Sequence, residues 1–189
     1  MSILQIEKHY VQSTIQINTL MFPHHDENVK NWTADIKNRG DSMGRKTNLK
    51  CDMTKFDDLL HDKNYNILKD FILWSSNMLQ AFNPEAHYLE MSDLWGAVYN
   101  QGDEAIAHHH LPAVISFVYY LKADPILSSP LLFPTVNNGF MIRPTSGLIV
   151  MFPGYLEHYV PPQQQENERI VLAGNLTLYN RDELWETKE

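Results

Sequence analysis

His108, His109 and His110 stand in a row just ahead of Pro112. On an extended chain the side chains alternate in direction, so His108 and His110 share one side while His109 points away. Two imidazoles at that spacing suit a divalent transition-metal ion, and they equally suit a polar loop rich in histidine. A third imidazole, His158, follows in GLIVMFPGYLEHYVPP, where a strand, a Pro-Gly turn and a second short strand bring the chain back along a sheet. Further on, Arg169 opens RIVLAGNLTLY, whose alternation sets Arg169, Val171, Ala173 and Asn175 on one face and Ile170, Leu172, Leu176 and Leu178 on the other. On an inner face this arginine needs an anion. On the surface it would pair with Glu166 or Glu168.

The elements that must position these residues are mostly strands. Beyond Pro84 come short apolar runs divided by turn formers: HYLEM, LWGAVY, VISFVYYLK, LLF, GFMI, GLIVMF, HYV and RIVLAGNLTLY. Such spacing predicts an all-β sandwich or barrel. Before it, Leu68, Phe71, Ile72, Leu79 and Phe82 recur at helical spacing and predict an amphipathic helix over Asn64 to Phe82, stopped by Asn83-Pro84. Pro23 followed by His24-His25-Asp26-Glu27 predicts a helix start with acids in its first turn, a simpler account of those histidines than a metal patch. Residues 38 to 50, NRGDSMGRKTNLK, read as a loop. The expected architecture is one domain over residues 1–189, mainly β with N-terminal helices. In it a helical and irregular layer, 1–84, packs on a β core, 85–180. Trp74, Trp95, Tyr119 and Phe152 lie in apolar patterns and are expected in the core, with Trp95 also a candidate cavity wall.

Composition narrows the function. The chain has 189 residues, 43% of them hydrophobic and 20% charged, which is the balance of a folded globular protein rather than a disordered one. A net charge of -8 with scattered basic residues disfavours a nucleic-acid partner. The single cysteine, Cys51, permits no intrachain disulfide and is expected to be a free structural thiol, in keeping with a reducing compartment. The first residues lack the profile of a signal peptide, and the apolar runs are strand-sized, so a soluble, cytoplasmic protein without a membrane partner is expected.

In order along the chain stand H-x-H, then ISFVYYLK (115 to 122), IRPTSGLIVMFPGYLEHYVPP (142 to 162) and ERIVLAGNL (168 to 176). This order resembles the Fe(II)- and 2-oxoglutarate-dependent oxygenases, in particular the prolyl-hydroxylase-like branch and a small group within it whose first metal motif is H-x-H. The resemblance covers about residues 94 to 180. It implies a double-stranded β-helix (a jelly roll, cupin-like) with Fe(II) at its open mouth. His108, His110 and His158 would be the metal ligands. Arg169 would grip the distal carboxylate of 2-oxoglutarate with help from Tyr120, and Asn175 and Tyr99 are further cosubstrate candidates. Oxidative decarboxylation with O2 would yield succinate and CO2 and hydroxylate an unactivated C–H bond. Substrate is expected to enter past Trp95, Asn100, Gln101 and Asp103 and the segment 38 to 50.

Two departures from the pattern stand out. The usual triad is two histidines and a carboxylate, whereas His110 occupies the carboxylate position here, with Asp103 or Glu104 as candidate substitutes. Phe117 stands where a glycine is common and is expected to narrow the pocket. A three-histidine zinc hydrolase or lyase, an iron dioxygenase independent of keto acids, and a non-catalytic jelly-roll binding module are the competing readings. The expected partners are 2-oxoglutarate and a primary substrate that is either a protein side chain or a small molecule; a homodimer is allowed.

Overall fold

β-branched and aromatic runs with turn formers between them give extended chain, and in the computed structural model they do so from both ends of the sequence. The structure describes residues 14–78, 87–164 and 166–180. In chain order the elements are β1 (Asn18–Met21), α1 (His25–Arg39), β2 (Leu49–Lys50), β3 (Asp52–Met53), α2 (Asn66–Met78), β4 (His87–Tyr99) and β5 (Glu104–His108). They continue with β6 (Ile115–Lys122), β7 (Leu131–Phe133), β8 (Phe140–Ile142), β9 (Leu148–Pro153), β10 (His158–Val160) and β11 (Arg169–Asn180). Two antiparallel sheets result, in the orders β1-β9-β6-β11-β4-β3 and β2-β5-β10-β7-β8. Strands β4 to β11 fall four in each sheet, and the chain crosses from one sheet to the other at every step except the β7–β8 hairpin, so that it winds as a double-stranded β-helix.

The larger sheet is buried on both faces. Between the sheets lies a core containing Trp95, Tyr99, Tyr120, Phe152, Val160 and Val171. On its other face Phe117, Tyr119, Leu121, Leu172 and Leu176 meet Trp32 and Ile36 of α1 and Leu68 and Ile72 of α2. Gly96 makes this approach possible, since a Cβ there would lie 2.8 Å from the Ile36 side chain. The helix start at His25 has Asp26 and Glu27 in its first turn, as expected, although His24 makes no side-chain cap.

Four expectations are corrected. The N-terminal layer is not only helical and irregular: β1 and β3 form the two edges of the larger sheet and β2 an edge of the smaller one. HYLEM and LWGAVY are one strand, in which Ser92 is an extra residue opposite the step from Asn175 to Leu176, a bulge that resets the in-out alternation. The predicted helix over 64 to 82 begins as a 3-10 turn at Lys63–Tyr65, whose N-cap Asp62 accepts from the Asn64 N–H, and α2 then runs to Met78. Leu79 and Phe82 lie outside the described residues. Trp74 is 59% exposed rather than in the core, because it sits about 200° around the helix from buried Ile72.

Candidate active site

The last residue of β5 and the first of β10 are cross-strand partners, His108 and His158. That pairing sets their rings 4.4 Å apart, centroid to centroid. His110 joins them from the turn after β5, its ring 4.9 Å from that of His108 and 5.1 Å from that of His158. The turn is held by backbone contacts: the His110 N–H donates to the Gly154 carbonyl at 2.7 Å, and the Gly154 N–H to that of Val114 at 3.1 Å. Gly154 admits this approach because a Cβ there would stand 2.1 Å from the Ala113 oxygen. One nitrogen from each of the three rings lies within 4.8 Å of the others, the only such cluster of metal-ligating groups among the described residues.

The electrostatics leave these imidazoles neutral. Burial, reinforced by the other imidazoles, pushes His110 down to about 3. Burial likewise pushes His158 down to about 4 and lowers His108. Nδ1 of His108 lies 2.7 Å from the Ile106 carbonyl, and Nδ1 of His158 lies 2.9 Å from that of Leu156. A carbonyl only accepts, so Nδ1 carries the proton in both rings and Nε2 keeps its lone pair. Three neutral imidazoles, two of them locked in one tautomer, are a donor set that fits a divalent transition-metal ion.

A cavity of about 40 Å³ runs between the sheets from the triad to Arg169, lined also by Tyr99, Tyr120, Val118, Leu131 and Val171. Arg169 is 2% exposed. Its Nη1 donates to the Ser129 carbonyl at 2.9 Å, its guanidinium carbon lies 3.9 Å above the Tyr99 ring, and its Nε has no acceptor among the described residues. The surface alternative is overturned, because Arg169 is buried and ion-pairs with neither Glu166 nor Glu168 among the described residues, Glu168 being taken by Lys37 and Lys122. A buried guanidinium without a carboxylate is costly unless an anion arrives. Burial pushes the Tyr120 hydroxyl up to about 12 and that of Tyr99 well above its ordinary value, so both are neutral groups beside that charge.

The family described as "Putative 2OG-Fe(II) oxygenase" matches this chain over residues 134–175, a stretch that holds His158 and Arg169. Among solved structures, a viral collagen prolyl hydroxylase from Paramecium bursaria Chlorella virus-1, in complex with 2-oxoglutarate, superposes with a TM-score of 0.64 at 15% identity, over 85% of this chain and 94% of its own. A Pseudomonas putida prolyl-4-hydroxylase gives 0.62 at 19% identity, over 86% and 92%. HygX from Streptomyces hygroscopicus, with nickel, 2-oxoglutarate and hygromycin B bound, gives 0.64 at 11% identity, over 86% and 83%. No curated protein matches by sequence. The chain has the fold of the 2-oxoglutarate- and Fe(II)-dependent oxygenases. The family match over residues 134–175 and a fold shared with prolyl hydroxylases agree with the resemblance read from its motifs.

Within this oxygenase fold the remaining candidates divide. Tyr99, Tyr120 and Trp95 line the cavity. Asn175 does not: its Oδ1 accepts from Ser116 at 2.8 Å and its Nδ2 donates to Asp93 at 3.1 Å, which draws the amide into the strand ladder beside the bulge. Asp103 is no substitute ligand, because its carboxylate is taken by Arg45 at 2.6 Å and by the Asn100 N–H at 2.8 Å. Neither Asp103 nor Glu104 belongs to the imidazole cluster. Asn100, Gln101 and Asp103 do not border the mouth either. They precede β5 whereas His108 ends it, roughly 13 Å along the strand, and Gln101 is tied to the Gln164 carbonyl at 3.1 Å.

The triad opens instead on a pocket of about 80 Å³ lined by Thr47, Asn48, Leu49, Phe56, Trp95 and His109. Of the segment 38 to 50, Thr47, Asn48 and Leu49 line this pocket. Phe56, in a stretch without periodicity, and the Ser129 carbonyl, a backbone group, left no signal in the sequence. Phe117 is among the cavity-lining residues, but its ring packs in the core on the helix side.

Proposed function

We propose that this protein is a dioxygenase that uses Fe(II), 2-oxoglutarate and O2 to hydroxylate an unactivated C–H bond of a protein side chain or a small molecule, releasing succinate and CO2. One observation carries the reading. A cluster of three neutral imidazoles and a buried guanidinium with no carboxylate partner among the described residues line one cavity between the sheets. His108, His110 and His158 would hold the metal, whose bound form supplies the activation of O2. Arg169 would receive the distal carboxylate of the keto acid, a charge-assisted contact strengthened by the low-dielectric surroundings. Tyr120 would donate to the same carboxylate, since its burial keeps its proton in place. Apolar Val118, Leu131, Val160 and Val171 keep water from the reacting atoms. A zinc hydrolase would use the same imidazoles but would leave Arg169 without a role.

The test is anaerobic titration of 2-oxoglutarate into the Fe(II)-loaded protein, followed by the visible charge-transfer band of a chelated keto acid. The band is expected to form in the wild type, to weaken in Arg169→Ala, and to recover in part in Arg169→Lys. Bound iron without a band would overturn the keto-acid reading in favour of the zinc or cosubstrate-independent alternatives.

A further inference from the structure

Helix α2 carries two apolar faces, and among the described residues only one of them is covered. Leu68 and Ile72 enter the core over the larger sheet. Ile67, Phe71, Trp74 and Met78 follow one another at steps of four, three and four residues, which sets them within an arc of about 60° and along about 16 Å of the helix axis. Ile67 is 39% exposed, Trp74 59% and Met78 71%, while Phe71 is half-buried. Such steps are those of a helix–helix seam, where apolar residues repeat every 3.5 residues on average. The exposed side chains offer on the order of 350 Å² of apolar surface, the size of the largest, often functional, patch on a typical monomer. A groove of about 310 Å³, walled by Ile17, Thr19 and Leu20 of the β1 segment beside Trp74 and Met78, widens the face. We infer that this face pairs with the same face of a second copy of the chain, the two α2 helices running antiparallel across a two-fold axis.

The face lies on the helix side of the larger sheet, and its pairing is independent of the oxygenase reading. Self-complementarity selects the occupant. An interface that closes on a two-fold uses one patch on both copies, and about the midpoint of this stripe an antiparallel pair sets Ile67 opposite Met78 and Phe71 opposite Trp74. Every apolar side chain then meets an apolar one, and the second copy's Ile67 arrives at the end of the groove lined by Met78. The charges choose the direction. Lys69 is turned back on its own chain, with Nζ donating to the Leu60 carbonyl at 2.6 Å and to that of Asp62 at 3.2 Å, so Asp70 is the one charged side chain of α2 left beside the stripe. Parallel helices would bring the two Asp70 carboxylates together at a cost in repulsion. Antiparallel ones hold them roughly 7 Å apart along the axis. The stripe supplies roughly half of the ~800 Å² per partner of a standard interface, so the association is reversible and depends on concentration.

Sedimentation velocity of the full-length protein, from about 1 μM to about 1 mM, reads the association. The mass is expected to climb from that of one chain toward that of two. Trp74→Glu is expected to stay single over the whole range with an unchanged circular dichroism spectrum, because position 74 lies in solvent in the lone chain. Ile67→Glu and Met78→Lys place an acid in the first turn of α2 and a base in its last described turn, which the helix itself tolerates. Each is expected to weaken association roughly tenfold or more, since each buries an unpaired charge in the seam. Mixed in equal amounts, these two variants are expected to recover the pair, because the antiparallel arrangement sets the substituted positions opposite one another. A single-chain mass at every concentration would overturn the inference and give the face to a different partner. Association undisturbed by Trp74→Glu, or no recovery on mixing, would overturn it as well.

Discussion

His108 and His158 each spend Nδ1 on the carbonyl two residues earlier, Ile106 within β5 and Leu156 in the turn before β10. The tautomer is thus set by the backbone, and a conservative side-chain change elsewhere leaves it intact. His158→Ala removes one donor of three and is expected to lower metal affinity by about a hundredfold or more, beyond the ~10–100-fold of an outer-shell change. Metal analysis after dialysis, with circular dichroism to confirm the fold, checks it. At the other end of the cavity, Arg169→Ala is expected to weaken 2-oxoglutarate binding by roughly 30-fold or more while metal stays bound, in line with ~2–5 kcal/mol for truncating one partner of a buried charge pair. Paired metal analysis and keto-acid titration distinguish this from a general loss of structure. The residue types at both ends were legible in the sequence. The isolation of Arg169 from Glu168 was not, because it depends on Lys37 of α1 and Lys122 of β6 reaching that carboxylate first.

At the scale of the element, the turn after β9 controls the turn after β5. Gly154 accepts from the His110 N–H and lies so close to Ala113 that no Cβ fits. Gly154→Ala must push the two turns apart, at a cost of about 1–3 kcal/mol typical of overpacking, and His110 moves with its turn. The expected outcome is weaker metal binding with His108 and His158 intact, measured by competition with a chromophoric chelator. The bulge at Ser92 shows the limit of reading strands by alternation. Leu89 and Met91 before it share a core face with Leu94 and Val98 after it, a change of parity that a strict period of two cannot hold. Helix α1 depends on its contact over Gly96, so Ile36→Ala is expected to destabilise the fold by about 2–5 kcal/mol, seen as a lower denaturant midpoint.

Across the whole molecule, the N-terminal strands close the sheet edges that a bare eight-strand core would expose: β1 covers β9, β3 covers β4, and β2 covers β5. The interior they seal keeps several weak acids neutral. Burial pushes the Cys51 thiol and the Tyr120 hydroxyl each up to about 12. Their pKa values are raised on folding, so stability is undiminished below the ordinary value of the thiol, 9.0, and is lost as pH climbs toward 12. The melting temperature is therefore expected to fall progressively above about pH 9, with Cys51→Ala removing the earliest part of the decline. Native Cys51 is also expected to resist alkylation at neutral pH and to react once the protein is unfolded, since its thiolate is scarce and its sulfur inaccessible.

The sequence by itself determined the strands of the core, the imidazoles at positions 108, 110 and 158, and an arginine at the start of the last strand. These rest on local chemistry, hydrophobic period, turn residues and ligand type, which survive without knowledge of distant contacts. Tertiary structure alone decided that Arg169 is buried over Tyr99 while Asn175 is absorbed by Ser116 and Asp93. It also decided that Asp103 serves Arg45 rather than a metal, and that the pocket outside the triad is lined by Phe56 and Thr47 rather than by Asn100. Each of these turns on which of several competing polar partners is nearest once the sheets close. That is a matter of register between strands far apart in the chain, and no local pattern encodes it.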